Sequence, residues 1–121
     1  MKKTMLGLAL ISIITLAGAA TISGTVSNIG HENVFTHTAG FPASLNAGQA
    51  NSFTNVNVAN GQVITYTSTL PQDPNEGCSY IFSVNNEGVV SLQASNVGFA
   101  KSCGYIPAGD NKFNLLVNAN S

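Results

Sequence analysis

Two cysteines, two histidines and five acids are the side chains of this 121-residue sequence best suited to metal binding or acid–base chemistry. Cys78, Cys103, His31 and His37 together make a Cys₂His₂ inventory, one of the ligand sets of structural zinc sites. Their spacings, H-x₅-H ahead of C-x₂₄-C, lack the short ligand pairs such sites use. A Cys–His nucleophile would need a thiolate that stays reduced, which an oxidising compartment with a second cysteine at hand does not allow. In "LPQDPNEGC", Asp73 and Glu76 stand close enough to invite a calcium loop. The EF-hand pattern is nevertheless broken, because Gly77 falls at the fifth position rather than the sixth and no later glutamate is in register. A proline-rich turn with two solvated acids accounts for the stretch. His31, Glu32 and His37 read as polar strand or turn residues. No G-x-S-x-G, H-E-x-x-H, Walker loop or dinucleotide turn occurs, so no catalytic residue, metal ligand or cofactor is expected and the chain is read as non-enzymatic.

The compartment follows from the other end of the chain. "MKKTMLGLALISIITLAGAATISG" opens with Lys2 and Lys3, continues with an apolar run over residues 5–16, and exits through Ala17, Gly18, Ala19 and Ala20. That is the layout of a bacterial secretory signal peptide. The apolar run falls short of the roughly 20 residues that a membrane-spanning helix needs. Ala19 occupies the position of a lipoprotein cysteine, so lipidation is excluded there. The expected organisation is a leader over residues 1–20, cleaved after Ala19 or Ala20, and one domain over residues 21–121 in the periplasm or outside the cell. Secretion favours oxidation, and Cys78–Cys103 is expected as a structural disulfide. Closing that loop is worth roughly 3–3.5 kcal/mol in chain-entropy terms.

The mature segment keeps Lys101 and Lys112 as its only cations against Glu32, Asp73, Glu76, Glu87 and Asp110. A nucleic-acid surface needs many cations to displace counterions, and an anionic membrane needs a polybasic patch. Neither partner is expected. The acids all lie beside Gly, Asn, Pro or His, as solvated loop charges do, and solubility rests on Asn, Ser and Thr.

Beyond residue 20, short alternating runs broken by turn signals replace any helical periodicity, which is the pattern of an all-β protein. The expected fold is a small antiparallel β-sandwich of seven or eight strands, immunoglobulin-like in general shape, with one disulfide. "TISGTVSN" places Ile22, Gly24 and Val26 on one face, and "KFNLLVN" aligns Phe113, Leu115 and Val117. In "SFTNVNVANGQVITYTS", Asn60-Gly61 is the dipeptide of a type I′ hairpin turn. Such a hairpin would pair Val58 with Val63, Val56 with Thr65 and Thr54 with Thr67. Ile64 and Tyr66 would then share the opposite face with Asn57 and Asn55.

"GCSYIFSVNNEGVVSLQASN" permits a test of register. A two-residue loop at Asn86-Glu87 would set each strand's apolar residues against polar ones. A three-residue loop, Asn86-Glu87-Gly88, instead pairs Val84 with Val90, Phe82 with Leu92 and Tyr80 with Ala94, with Gly88 in the left-handed position. Cys78 then lies opposite Asn96. The disulfide requires "VGFAKSC" to turn back, because seven extended residues would overshoot the reach of the bridge. Two further stretches, "LNAGQANSF" and "IPAGDNKF", echo one another and predict one turn geometry used twice, entering strands of similar orientation.

Neutral hydrogen-bonding side chains on the outward positions suit an uncharged partner, either a glycan or a protein surface. Asn55, Asn57, Ile64 and Tyr66 are the candidate binding face, unless packing buries that side and exposes the opposite one. The expected role is a non-catalytic recognition or adhesion module. The alternative is a subunit of an extracellular assembly, self-associating by strand exchange through residues 21–28. A membrane-active or inhibitor protein is a third class. The leader, the alternating first strand and the single disulfide resemble fimbrial-type subunits of bacterial surfaces, although those place their first cysteine well before Cys78. No residue role is carried over from them. Small membrane-active β-sandwich proteins are a looser likeness, and they generally display tryptophan, which this chain lacks.

Overall fold

The computed structural model describes residues 19–73, 75–98 and 102–119. Residues 1–18, which hold most of the expected leader, lie outside the described residues. The strands are β1 (Ala19–Asn28), β2 (Val34–Phe35), β3 (Ser44–Leu45), β4 (Ala50–Ala59), β5 (Val63–Ser68), β6 (Gly77–Val84), β7 (Val90–Val97), β8 (Gly104–Gly109) and β9 (Lys112–Val117). They form two sheets, A in the order β4-β1-β9-β8 and B in the order β3-β2-β5-β6-β7. The fold is thus the expected all-β sandwich, with nine strands among the described residues, two of them only two residues long.

β1 alternates as its sequence requires, burying Ile22 and Val26 on one side and turning Thr21, Ser23, Thr25 and Ser27 to the other. Between the two buried residues Gly24 lies against β9. A Cβ there would come within 1.7 Å of the Phe113 carbonyl oxygen, so the backbones touch where a side chain would stand. On its other edge β1 meets a bulge, since Ile22 pairs with Val56 but Gly24 pairs with Phe53. The extra residue leaves Asn55 at φ 50°, its N–H donating to Ser23 Oγ at 2.9 Å. β1 runs antiparallel to β4 and parallel to β9. This corrects the wholly antiparallel expectation, because β1 and β9 share one direction at the middle of sheet A.

Asn60-Gly61 is not a hairpin turn. It forms the corner where the chain leaves sheet A for sheet B, so β4 and β5 never pair. Asn60 Oδ1 accepts the Val84 N–H at 3.0 Å, while Gly61 N–H donates to the Phe82 carbonyl and Phe82 N–H to that of Gln62. These bonds set β5 beside β6, with Ile64 opposite Tyr80 and Tyr66 opposite Cys78.

The β6–β7 hairpin has the expected register, Val84 with Val90, Phe82 with Leu92, Tyr80 with Ala94 and Cys78 with Asn96. Gly88 N–H donates to the Asn85 carbonyl and Gly88 takes φ 77°, so a three-residue loop with a left-handed third residue closes it. Beyond β7, Gly98 and Ser102 both adopt positive φ. Cys103 thereby returns to Cys78, with Cα atoms 5.6 Å apart, and the disulfide ties sheet B to the start of β8 in sheet A. A disulfide in a small β domain is compatible with an extracellular or periplasmic location.

Tyr66, Tyr80 and Phe82 are the largest fully buried side chains, and Phe41 packs on Phe53 with ring centres 4.9 Å apart. Burial pushes both tyrosine hydroxyls well above their ordinary pKa, so they remain neutral donors. Tyr80 donates across the layers to the Leu116 carbonyl, and Tyr66 donates to that of Pro42. Asn28, also fully buried, donates to the Glu32 carbonyl at 2.7 Å and the Leu45 carbonyl at 3.1 Å, and accepts from Gly30 N–H.

The echoed stretches are not one turn used twice. Gly48 sits inside a turn closed by Gln49 N–H on the Asn46 carbonyl, whereas Gly109 ends β8 and Asn111 takes the positive φ after it. The strands they enter, β4 and β9, run in opposite directions. Their phenylalanines nevertheless converge, since Phe53 and Phe113 are the two neighbours of Gly24.

Candidate functional site

The four residues expected on a common face are separated. Asn55 and Asn57 are exposed on β4, while Ile64 and Tyr66 are completely buried on β5. The corner at Asn60-Gly61 is the cause: it turns β5 over, so that Ile64 and Tyr66 face the core and Val63 faces solvent at 48 % exposure. Ile64 and Tyr66 therefore cannot be contact residues. Of the original four, Asn57 belongs to an accessible face with a definite composition.

That face is the outer side of sheet A, built by the register of three strands. Thr25 lies between Ser52 and Asn114, Thr21 beside Asn57, and Ser23 beside Lys112. Thr25 Oγ1 donates to Asn114 Oδ1 at 2.9 Å, which locks two of these side chains into one orientation. Ser27 lies between Ala50 and the half-buried Leu116, and Ile106, 52 % exposed, continues the row beyond Asn114. Lys112 is the single charge among these positions. The surface is broad, hydroxyl- and amide-bearing, and almost uncharged.

The acids are less scattered than their sequence positions imply. Glu32, Asp73 and Glu76 bring carboxylate oxygens within 4.8 Å of one another, the one such group of three His, Cys, Asp or Glu among the described residues. Glu32 is buried, contrary to its reading as a solvated loop charge. The loop after β5 curls back through Asp73 N–H on the Leu70 carbonyl and Glu76 N–H on that of Asp73, and presents its acids to Glu32. A hydrogen bond with Glu32 raises the Asp73 pKa, helped by desolvation and by repulsion from the same carboxylate. Glu76 is raised by desolvation first, then by its two acidic neighbours. Oxygen donors of this kind suit a hard divalent cation.

The remaining chemistry-bearing residues stand apart. Both cysteines are consumed by the disulfide, which removes thiolate chemistry and thiolate zinc ligation. His31 is exposed, and His37 is exposed with its ring edge-on to Phe35 at 4.9 Å. Sequence reasoning missed the row through Thr25, Ser52 and Asn114, although the Thr/Ser alternation of β1 was visible. Its neighbours could not be known without the strand order. No protein-family model matches the chain, and no curated protein matches it in sequence.

Proposed function

We propose that the protein is a secreted or periplasmic, non-catalytic recognition module for an uncharged partner, either a neutral glycan or a protein surface. The observation that carries this reading is the outer side of sheet A, where Thr21, Ser23, Thr25, Ser27, Ser52, Asn57 and Asn114 supply donors and acceptors around one cation. Such groups contribute hydrogen bonds without the desolvation cost of charge. The signal-peptide pattern and the disulfide support export. The test is a binding panel of neutral oligosaccharides, heparin, duplex DNA and anionic liposomes at low and moderate salt. Binding to a neutral partner should change little with salt, because few ion pairs are available to be screened. Tight, salt-sensitive binding to any of the polyanions would overturn the reading.

A second reading rests on the position of β1. β1 is flanked by β4 and β9, so the slot it fills could be filled by β1 of a neighbouring copy. That arrangement would make the protein a strand-exchanging subunit of a surface assembly. A single monomeric species in size-exclusion chromatography at all concentrations rejects it, and a ladder of oligomers supports it.

A further inference from the structure

The sandwich is open along one side, where β7 ends sheet B and β8 ends sheet A. Between these edges lies a cleft of about 620 Å³, within the range of roughly 300–1,000 Å³ usual for small-molecule sites. Its floor carries the apolar side chains of Val90 and Leu92 from β7 and of Tyr105, Pro107 and Phe113 from the β8–β9 side, among polar lining from Ser91 and Asn111. The half-buried Tyr105 ring stands edge-to-face on Phe113 with centres 5.9 Å apart, which fixes its plane. At the mouth are the exposed carboxylates of Glu87 and Asp110, each at the tip of a hairpin.

One residue braces the cleft. Asn111, held at φ 52° in the β8–β9 turn, accepts the Val90 N–H at 3.0 Å and donates to the Gly88 carbonyl at 2.8 Å. The two hairpin tips are thereby fixed relative to one another, and the cleft has its shape before a ligand arrives. No lysine or arginine lines it among the described residues. Two carboxylates with no cation in the lining disfavour phosphates, sulfates and acidic sugars, even with the Lys112 side chain passing beside Gly109 at the rim.

A ligand for this cleft needs an apolar face for the floor and hydrogen-bond donors for two acceptor-only rims. A neutral pyranose has both, one side of C–H groups and an edge of hydroxyls. We propose that the β7–β8 cleft is a subsite for one or two residues of a neutral glycan, with the sugar face on Tyr105 and Pro107 and its hydroxyls on Asp110 and Glu87. This inference rests on the neutral-partner reading above and narrows it to a sugar and a place. A lysine side chain would also satisfy the carboxylates, but its single flexible methylene stem covers less of the floor than a pyranose face, so the sugar is favoured.

The test is titration of ¹⁵N-labelled secreted protein with neutral oligomers of glucose, mannose, galactose and N-acetylglucosamine at millimolar concentration, with tetralysine as a comparison. At least one sugar should shift the amides of Val89, Val90, Leu92, Tyr105 and Asp110 as a group. Asp110→Asn and Glu87→Gln, both at exposed turn positions, should each weaken that binding about tenfold. Tyr105→Phe keeps the ring and should hold affinity within about threefold, whereas Tyr105→Ala should abolish it; an unchanged unfolding midpoint confirms an intact fold. Sugar-induced shifts confined to Thr25, Asn57 and Asn114 would overturn the cleft while leaving the neutral-partner reading standing. Absence of cleft shifts with every sugar overturns the proposal. So does salt-sensitive tetralysine binding there in place of sugar.

Discussion

Sheet B takes β5, β6 and β7 in chain order, β6 pairing with β5 and β7 with β6, whereas sheet A sets β1 between β4 and β9 and pairs strands nearly the length of the chain apart. The two layers bury comparable side chains but are specified differently. In sheet B, a turn residue and an alternation suffice to place each neighbour. In sheet A, the backbone itself must fit, as the contact of Gly24 with Phe113 shows, and long-range anchors such as Asn28 and the disulfide hold the layers in place. A local sheet tolerates errors at its turns; a non-local one fails at its seams.

Glycine replacement in each layer tests that contrast most severely. Gly24→Ala should cost more than about 3 kcal/mol, because the new Cβ meets the Phe113 carbonyl and the backbone stands at φ 156°. Gly88→Ala, with open space around it, should cost only about 1–2 kcal/mol for the left-handed conformation. Urea unfolding of both variants gives the comparison, and equal losses would break it.

Next in size is the covalent tie between the layers. The double variant Cys78→Ala, Cys103→Ala should lose roughly 3–3.5 kcal/mol, the entropy of the 25-residue loop, as read from urea midpoints. A loss under about 1 kcal/mol would mean that the bridge decorates a fold already fixed by other contacts.

Asn28→Ala comes third. It strips the donors from the Glu32 and Leu45 carbonyls inside the protein, and about 2–3 kcal/mol should disappear in the same assay. Restoration by Asn28→Asp would contradict this account, because a carboxylate cannot donate to those carbonyls.

The smallest effect concerns the acids at Glu32. Asp73 and Glu76 both titrate above their ordinary values in the fold, so between the ordinary and the raised pKa the folded state holds more protons than the unfolded chain. Stability should therefore fall as pH rises through that window, and the cost remains in full above it. Unfolding midpoints measured from about pH 4 to 7 should decline, and Glu32→Gln should flatten the slope. A rising slope from the same groups would show that the Asp73–Glu32 hydrogen bond is absent in solution.

The same contrast explains what could be read from the residues alone. The β6–β7 register was legible because both strands and their loop lie in one contiguous stretch, and only one loop length puts Phe82 against Leu92. The disulfide was legible from compartment and count. Asn60-Gly61 misled because its local preference serves a corner as well as a hairpin. What decides is the capture of Asn60 by Val84 N–H, from a strand two elements later. The candidate face failed with it, since turning β5 over buried Ile64 and Tyr66. The parallel pairing of β1 with β9 has no local sign at all, and Glu32 meets Asp73 only once β2 has docked.

The Ser23–Lys112 pairing also sets a clock for the chain as it acquires structure. A hairpin such as β6–β7 closes on the order of microseconds. β1 has no complete set of neighbours until β9 has emerged. Non-local pairing of that kind belongs to the slow end of two-state folding, roughly milliseconds to seconds. Until then, Tyr66, Tyr80 and Phe82, fully buried in the finished fold, lack their cover from sheet A, and they are the largest apolar side chains a holding factor could meet on the nascent protein.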